Sequence, residues 1–93
     1  MAQVVRAAFV VTGRVQGVGF RVATARAAAA NGVVGFVRNR ADGAVEGEAQ
    51  GEASALAAFR AWLQRGPTLA RVDALAWREF AAVAGEATFD VRR

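Results

Sequence analysis

The sequence has 93 residues, of which 55% are hydrophobic, so it is long enough for one domain with a compact core and too apolar for a disordered chain. All twelve basic residues are arginine and eight residues are acidic, and the net charge of +4 permits anion binding without requiring nucleic acid. Cysteine, histidine, tyrosine and lysine are absent, which excludes disulfides, thiolate or imidazole catalysis and metal sites built on soft ligands. No signal peptide or membrane-spanning segment is visible, so we expect a cytoplasmic protein without a membrane partner.

The first part of the chain has the pattern of a strand, a loop, a helix and a second strand. Residues 4–12 are rich in Val and Phe and predict a buried strand. Residues 13–21 contain too many glycines for a helix or a central strand, and they lead directly into an alanine-rich helix over residues 22–30. An Asn-Gly pair ends that helix, and residues 33–37 predict the second strand.

The second part of the chain predicts a hairpin, a helix and two more strands. Asp-Gly at positions 42–43 is a hairpin turn signal, and polar and small residues alternate over residues 44–50. Residues 52–65 predict an amphipathic helix, because large apolar residues recur there at helical spacing: Leu56, Phe59 and Leu63. Residues 69–80 predict a strand whose alternation slips between Val72 and Leu75, as at a bulge, and residues 87–91 predict a short last strand.

This order of elements predicts an α+β, ferredoxin-like βαββαβ sandwich. The expected architecture is an antiparallel sheet with two helices on one face and an extra short C-terminal strand. We expect a single domain, residues 1–93, that is monomeric because its strand faces alternate and carry charge.

The glycine-rich loop has the properties of an oxyanion cradle. Glycines at positions 13, 17 and 19 let the backbone curl so that several N–H groups converge, and a helix N-terminus follows at once. Arg21 lies at that terminus, where a guanidinium can bind a phosphate with two hydrogen bonds. Taken alone, such a loop is more often a flexible turn with a solvated arginine.

Residues 13–21 and residues 35–45 together resemble the two signature blocks of the acylphosphatase family. Those blocks run Gly-x-Val-Gln-Gly-Val-x-Phe-Arg and Gly-x-Val-x-Asn-x-x-Asp-Gly-x-Val, and both occur here at the family's spacing. The resemblance continues through residues 66–67, 70–73 and 89–92, so it covers essentially the whole chain. It implies an enzyme that hydrolyses the carboxyl-phosphate anhydride of acyl phosphates to a carboxylate and inorganic phosphate.

The resemblance also implies roles for individual residues. Arg21 matches the family's phosphate-binding arginine and Asn39 its water-orienting asparagine. Backbone amides form the phosphate cradle, and they belong to Val15, Gln16, Gly17, Val18, Gly19 and Phe20. Two departures from the family pattern bear on substrate preference or affinity more than on chemistry: Phe36 stands where many members carry Trp, and Val22-Ala23 follows the arginine where bulkier or charged residues are common.

The absence of histidine and lysine is compatible with this chemistry, because a carboxylate is a good leaving group that needs little help from a general acid. No metal or cofactor is expected, and inorganic phosphate or sulfate should compete with the acyl phosphate substrate. Thr24 matches a threonine position in many family members and is a candidate for supporting the site, although a threonine in the first helical turn equally suits local hydrogen bonding.

Two other functions are compatible with parts of this sequence. A basic ferredoxin-like domain also describes an RNA-recognition module, but such a module needs aromatic residues on its central strands. Here the first strand offers only Phe9 and the third offers none. The remaining alternative is an acylphosphatase-like domain that binds phosphate in a regulatory role without catalysis.

Overall fold

A computed structural model describes residues 3–93 and confirms the predicted order of elements; residues 1 and 2 of the predicted domain lie outside the described range. The five strands are β1 (Val4–Arg14), β2 (Val34–Asn39), β3 (Val45–Glu52), β4 (Arg71–Phe80) and β5 (Phe89–Val91). The two helices are α1 (Phe20–Ala30), between β1 and β2, and α2 (Ala53–Arg65), between β3 and β4. The α+β ferredoxin-like prediction is therefore confirmed.

The strands form one sheet in the order β4-β1-β3-β2-β5. Neighbours among the first four strands are antiparallel, as predicted, but β5 pairs in parallel with β2, so the complete sheet is mixed. The connection over residues 81–88 explains this direction. It carries the chain from the end of β4, at one edge, across to the start of β2, and β5 then runs alongside β2.

The bulge predicted in the fourth strand is present. Thr12 pairs with Ala74 whereas Gly13 pairs with Val72, which leaves Asp73 as the extra residue on β4. A Cβ atom on Gly13 would lie 2.2 Å from the carbonyl oxygen of Arg71, so only glycine fits this crossing. β1 continues to Arg14 rather than ending at Thr12 as predicted, because Gly13 and Arg14 still pair with β4 beyond the bulge.

Both helices pack on the same face of the sheet. The α2 residues that the periodicity selected, Leu56, Phe59 and Leu63, are all buried there. Phe59 meets Phe9 of β1 edge to face, with ring centroids 5.9 Å apart. Phe9 is 1% exposed, so the first strand's aromatic ring belongs to the core and is not displayed on the open face of the sheet.

The open face of the sheet is crossed by the 81–88 connection at the end remote from α1's N-terminus. Arg6 is 4% exposed there and forms ion pairs with Glu48 of β3, at 2.6 Å, and Glu86 of the connection, at 2.5 Å. The hydrogen bond to Glu86, with a smaller contribution from Glu48, raises the pKa of Arg6, so its charge is kept despite burial. No helix among residues 3–93 is both long enough and apolar enough to cross a membrane.

Candidate active site

The loop between β1 and α1 gives the helix an open N-terminus. Gly17 and Gly19 have φ angles of 75° and 76°, a left-handed conformation that favours glycine. Gly19 is the N-cap of α1 and provides no side-chain cap, so the first N–H groups of the helix have no partner inside it. These amides, together with the helix dipole, make the start of α1 a favourable place for an anion.

A cavity of about 120 Å³ lies at this helix end and brings the two principal candidates together. Arg21 comes from the first turn of α1 and Asn39 from the last position of β2, and both line it. Four of the predicted cradle residues line it as well, namely Val15, Gly17, Gly19 and Phe20, together with Val22. Gln16 and Val18, which were predicted with them, are not among the lining residues.

Arg21 is held by the C-terminal segment of the chain. Its Nη1 donates a hydrogen bond of 2.7 Å to the carbonyl oxygen of Arg92. The Arg92 backbone N–H donates to the carbonyl of Val37 at 2.8 Å, and the Arg92 guanidinium lies 3.9 Å from the centre of the Phe36 ring. One donor of the Arg21 fork is therefore used for orientation, while no carboxylate among residues 3–93 pairs with this guanidinium.

Asn39 is the last residue of β2, where it pairs with Val45 of β3. It is half-buried, and among the described residues no side-chain hydrogen bond engages its carboxamide. An amide with both a donor and an acceptor available at the cavity wall is able to orient a water molecule.

The side chain of Gln16 joins the loop to the hairpin that follows Asn39. Its Nε2 donates to the carbonyl oxygens of Arg40, at 2.7 Å, and Ala44, at 2.9 Å. Asp42 shapes the same turn by accepting a hydrogen bond from the Ala44 N–H, as expected of a turn residue. The sequence predicts only a role for the Gln16 backbone in the cradle, because no local pattern indicates these bonds of its side chain.

Thr24 lies beneath the site rather than on its surface. It is completely buried, and its hydroxyl donates a hydrogen bond of 2.7 Å to the carbonyl of Phe20, one turn earlier in α1. It does not line the cavity, so any support it gives to the site passes through the first turn of the helix.

The charges around the cavity leave it electropositive. Arg38 and Arg40 flank Asn39 in the sequence but do not line the cavity, and they are paired with acidic residues, Arg38 with Glu46 and Arg40 with Asp42. No carboxylate lines the cavity, and Arg21 is the charged group on its wall. Within the part of the chain that the structure describes, no cluster of acidic side chains has the arrangement needed to hold a metal ion.

Comparison with known proteins gives a consistent result. The acylphosphatase family profile matches residues 7–91. An acylphosphatase of Methylococcus capsulatus is 53% identical over 78 residues, which cover 84% of each chain. The crystal structure of acylphosphatase from Bacillus subtilis superposes with a TM-score of 0.92 at 32% identity, covering 96% of this chain and 99% of that one. A full-length HypF, in a phosphate- and nucleotide-bound form, matches all of this chain with 12% of its own length, at a TM-score of 0.85 and 25% identity.

Proposed function

The chain belongs to the acylphosphatase family and is an acylphosphatase, and from that premise we propose that Arg21 and the loop amides bind the phosphoryl group while Asn39 positions the attacking water. The observation that carries these roles is the shared cavity: the helix N-terminus, Arg21 and Asn39 all line one small concave site. The loop amides concerned are those of residues 15–20.

The electrostatics of the site suit a phosphoryl group in transfer. Charge on its three equatorial oxygens is stabilised by the Arg21 guanidinium, by backbone N–H groups and by the positive end of the α1 dipole. Because Arg21 is already oriented by the carbonyl of Arg92, little reorganisation is needed when the ligand binds. Inorganic phosphate and sulfate present similar oxygens, so we expect both to compete with substrate.

The water-driven step follows from the same arrangement. The carboxamide of Asn39 orients a water molecule in line with phosphorus, the P–O bond to the acyl group breaks, and the carboxylate leaves with the bonding electrons. A phosphoryl oxygen of the substrate accepts the proton of the attacking water. No general base from the protein is required, which agrees with a site that contains neither histidine nor a carboxylate.

Isotope labelling tests this proposal directly. We expect hydrolysis of benzoyl phosphate in H₂¹⁸O, with excess EDTA, to place one ¹⁸O atom in inorganic phosphate and none in benzoate. Mass spectrometry of the two products makes the measurement, and a reaction without enzyme corrects for spontaneous hydrolysis. Label in benzoate would mean attack at the carbonyl carbon, and loss of turnover in EDTA would mean a metal requirement; either contradicts the proposal.

The same experiment separates catalysis from the regulatory alternative. A domain that only binds phosphate would show no turnover above the uncatalysed rate, although inorganic phosphate would still protect it against thermal unfolding. The monomeric state, the single domain over residues 1–93 and the cytoplasmic location expected from the sequence stay predictions.

Gln16→Ala is expected to lower kcat by about tenfold, because the loop and the Asn39 hairpin would lose the two hydrogen bonds that set their relative position. Stability should fall by about 1–2 kcal/mol, measured by urea unfolding. Gln50→Ala is the control, since the Gln50 side chain makes two hydrogen bonds with the backbone of Val83 and accepts a third from Arg6, all at the other end of the sheet. It should cost at least as much stability as Gln16→Ala and leave kcat within about twofold of wild type. Equal effects of the two variants on kcat would contradict a positioning role for Gln16.

A further inference from the structure

Val22 exposes 50% of its surface in the first turn of α1. It is the third residue of this helix, which is otherwise rich in alanine. A β-branched residue is less favourable than alanine at an exposed helical position. Helix propensity therefore does not account for a valine here.

Val22 is also the apolar side chain that the cavity presents to a ligand. Of the other apolar residues in the wall, Val15 is 1% exposed and Phe20 is 2% exposed, so their side chains are buried in the core and offer almost no surface to a ligand. The glycines in the wall have no side chains. Among the described residues, Val22 is the only large apolar side chain that both lines the cavity and is substantially exposed.

The size of the cavity determines where an acyl group must lie. Pockets that enclose a whole organic ligand commonly have volumes of about 300–1,000 Å³, whereas this cavity has about 120 Å³. It therefore holds the phosphoryl group and leaves the acyl group at its mouth. In-line attack places the acyl oxygen on the side of phosphorus opposite the attacking water. The acyl group therefore leaves on the side away from Asn39, along the part of the cavity edge that other lining residues form.

We propose that Val22 is a specificity-determining residue that contacts the acyl group of the substrate and favours aromatic or branched acyl groups over acetyl. This inference rests on the proposed binding of the phosphoryl group in the cavity. The contact buries apolar surface of both partners, and an acetyl group is too small to gain much from it.

The test compares kcat/KM for benzoyl phosphate and acetyl phosphate in wild type and in Val22→Ala. We expect Val22→Ala to lower the benzoyl-to-acetyl ratio by roughly three- to tenfold, mainly through a higher KM for benzoyl phosphate. The rate with acetyl phosphate and the inhibition constant of inorganic phosphate should stay within about twofold of wild type, because the phosphoryl contacts are untouched. Thermal unfolding should show no loss of stability, since alanine is the better helix former.

Val83→Ala is the matched control, because Val83 is 47% exposed and lies in the connection at the opposite end of the sheet. It should leave the ratio unchanged. A ratio in Val22→Ala within twofold of wild type, or equal losses with both substrates, would overturn the role of Val22 while leaving acylphosphatase activity intact. A wild-type protein that hydrolyses neither substrate would instead overturn the proposed function, and this inference with it.

Discussion

Asn39→Ala is expected to lower kcat by about 10²–10³-fold while KM and the inhibition constant of inorganic phosphate change little. The reason is that Asn39 acts on the attacking water, which is not bonded to the phosphoryl group in the ground state. The phosphoryl ligands, Arg21 and the loop amides, stay in place in this variant. The measurement is steady-state hydrolysis of benzoyl phosphate, with the phosphate inhibition constant determined in parallel.

Two further variants sharpen the test of Asn39. Asn39→Asp keeps the shape of the side chain but removes its N–H donor and adds a negative charge beside an anionic substrate, so it should lose kcat and bind phosphate more weakly. Asn31→Ala is the control, since Asn31 lies at the other end of α1 and its side chain donates a hydrogen bond to the Ala27 carbonyl, one turn earlier in the same helix. If Asn39→Ala instead raised KM and left kcat unchanged, the residue would be a phosphoryl ligand and the water-positioning role would be wrong.

The local signals in the sequence predicted the elements well because each has a short-range cause. The spacing of Leu56, Phe59 and Leu63 follows the helical period, and all three face the core. The slip between Val72 and Leu75 marked the bulge at Asp73. The sequence predicts the start of α1 two residues late, because the glycines that precede Phe20 and Arg21 favour a loop there.

The arrangement of the site depends on contacts that no local pattern reveals. Periodicity and turn signals do not place Asn39 beside the start of α1; the family resemblance supplied that expectation, and both now line one cavity. The contact between Arg21 and the Arg92 carbonyl spans 71 positions, and the Gln16 side chain bonds the Arg40 carbonyl across 24. These contacts exist only once the sheet has brought β1, β2 and β5 together. No local pattern in the sequence therefore indicates that Arg92 or the Gln16 side chain belongs to the site.

Arg21→Ala is expected to have the largest effect on activity, lowering kcat/KM by about 10³-fold or more and weakening inhibition by inorganic phosphate. A single preorganised donor to a developing charge contributes about 10²–10³ in rate, and a guanidinium supplies two donors and a full charge. Unlike Asn39→Ala, this variant should impair both KM and kcat, since the guanidinium contacts the phosphoryl group before and during transfer.

The control for Arg21 is Arg26→Ala, which removes the same charge from an exposed position on the same helix. If the effect came from the net charge of +4 alone, both variants would lose activity equally, and raising the salt concentration would abolish the difference from wild type.

Arg21→Lys separates the effect of charge from the effect of side-chain geometry. Lysine keeps the charge, but its ammonium lacks the planar fork needed to hold the Arg92 carbonyl and a phosphoryl oxygen together. We therefore expect the lysine variant to recover less than about a tenth of wild-type kcat/KM. Full recovery by lysine would contradict a requirement for the planar guanidinium and leave Arg21 with a purely electrostatic role.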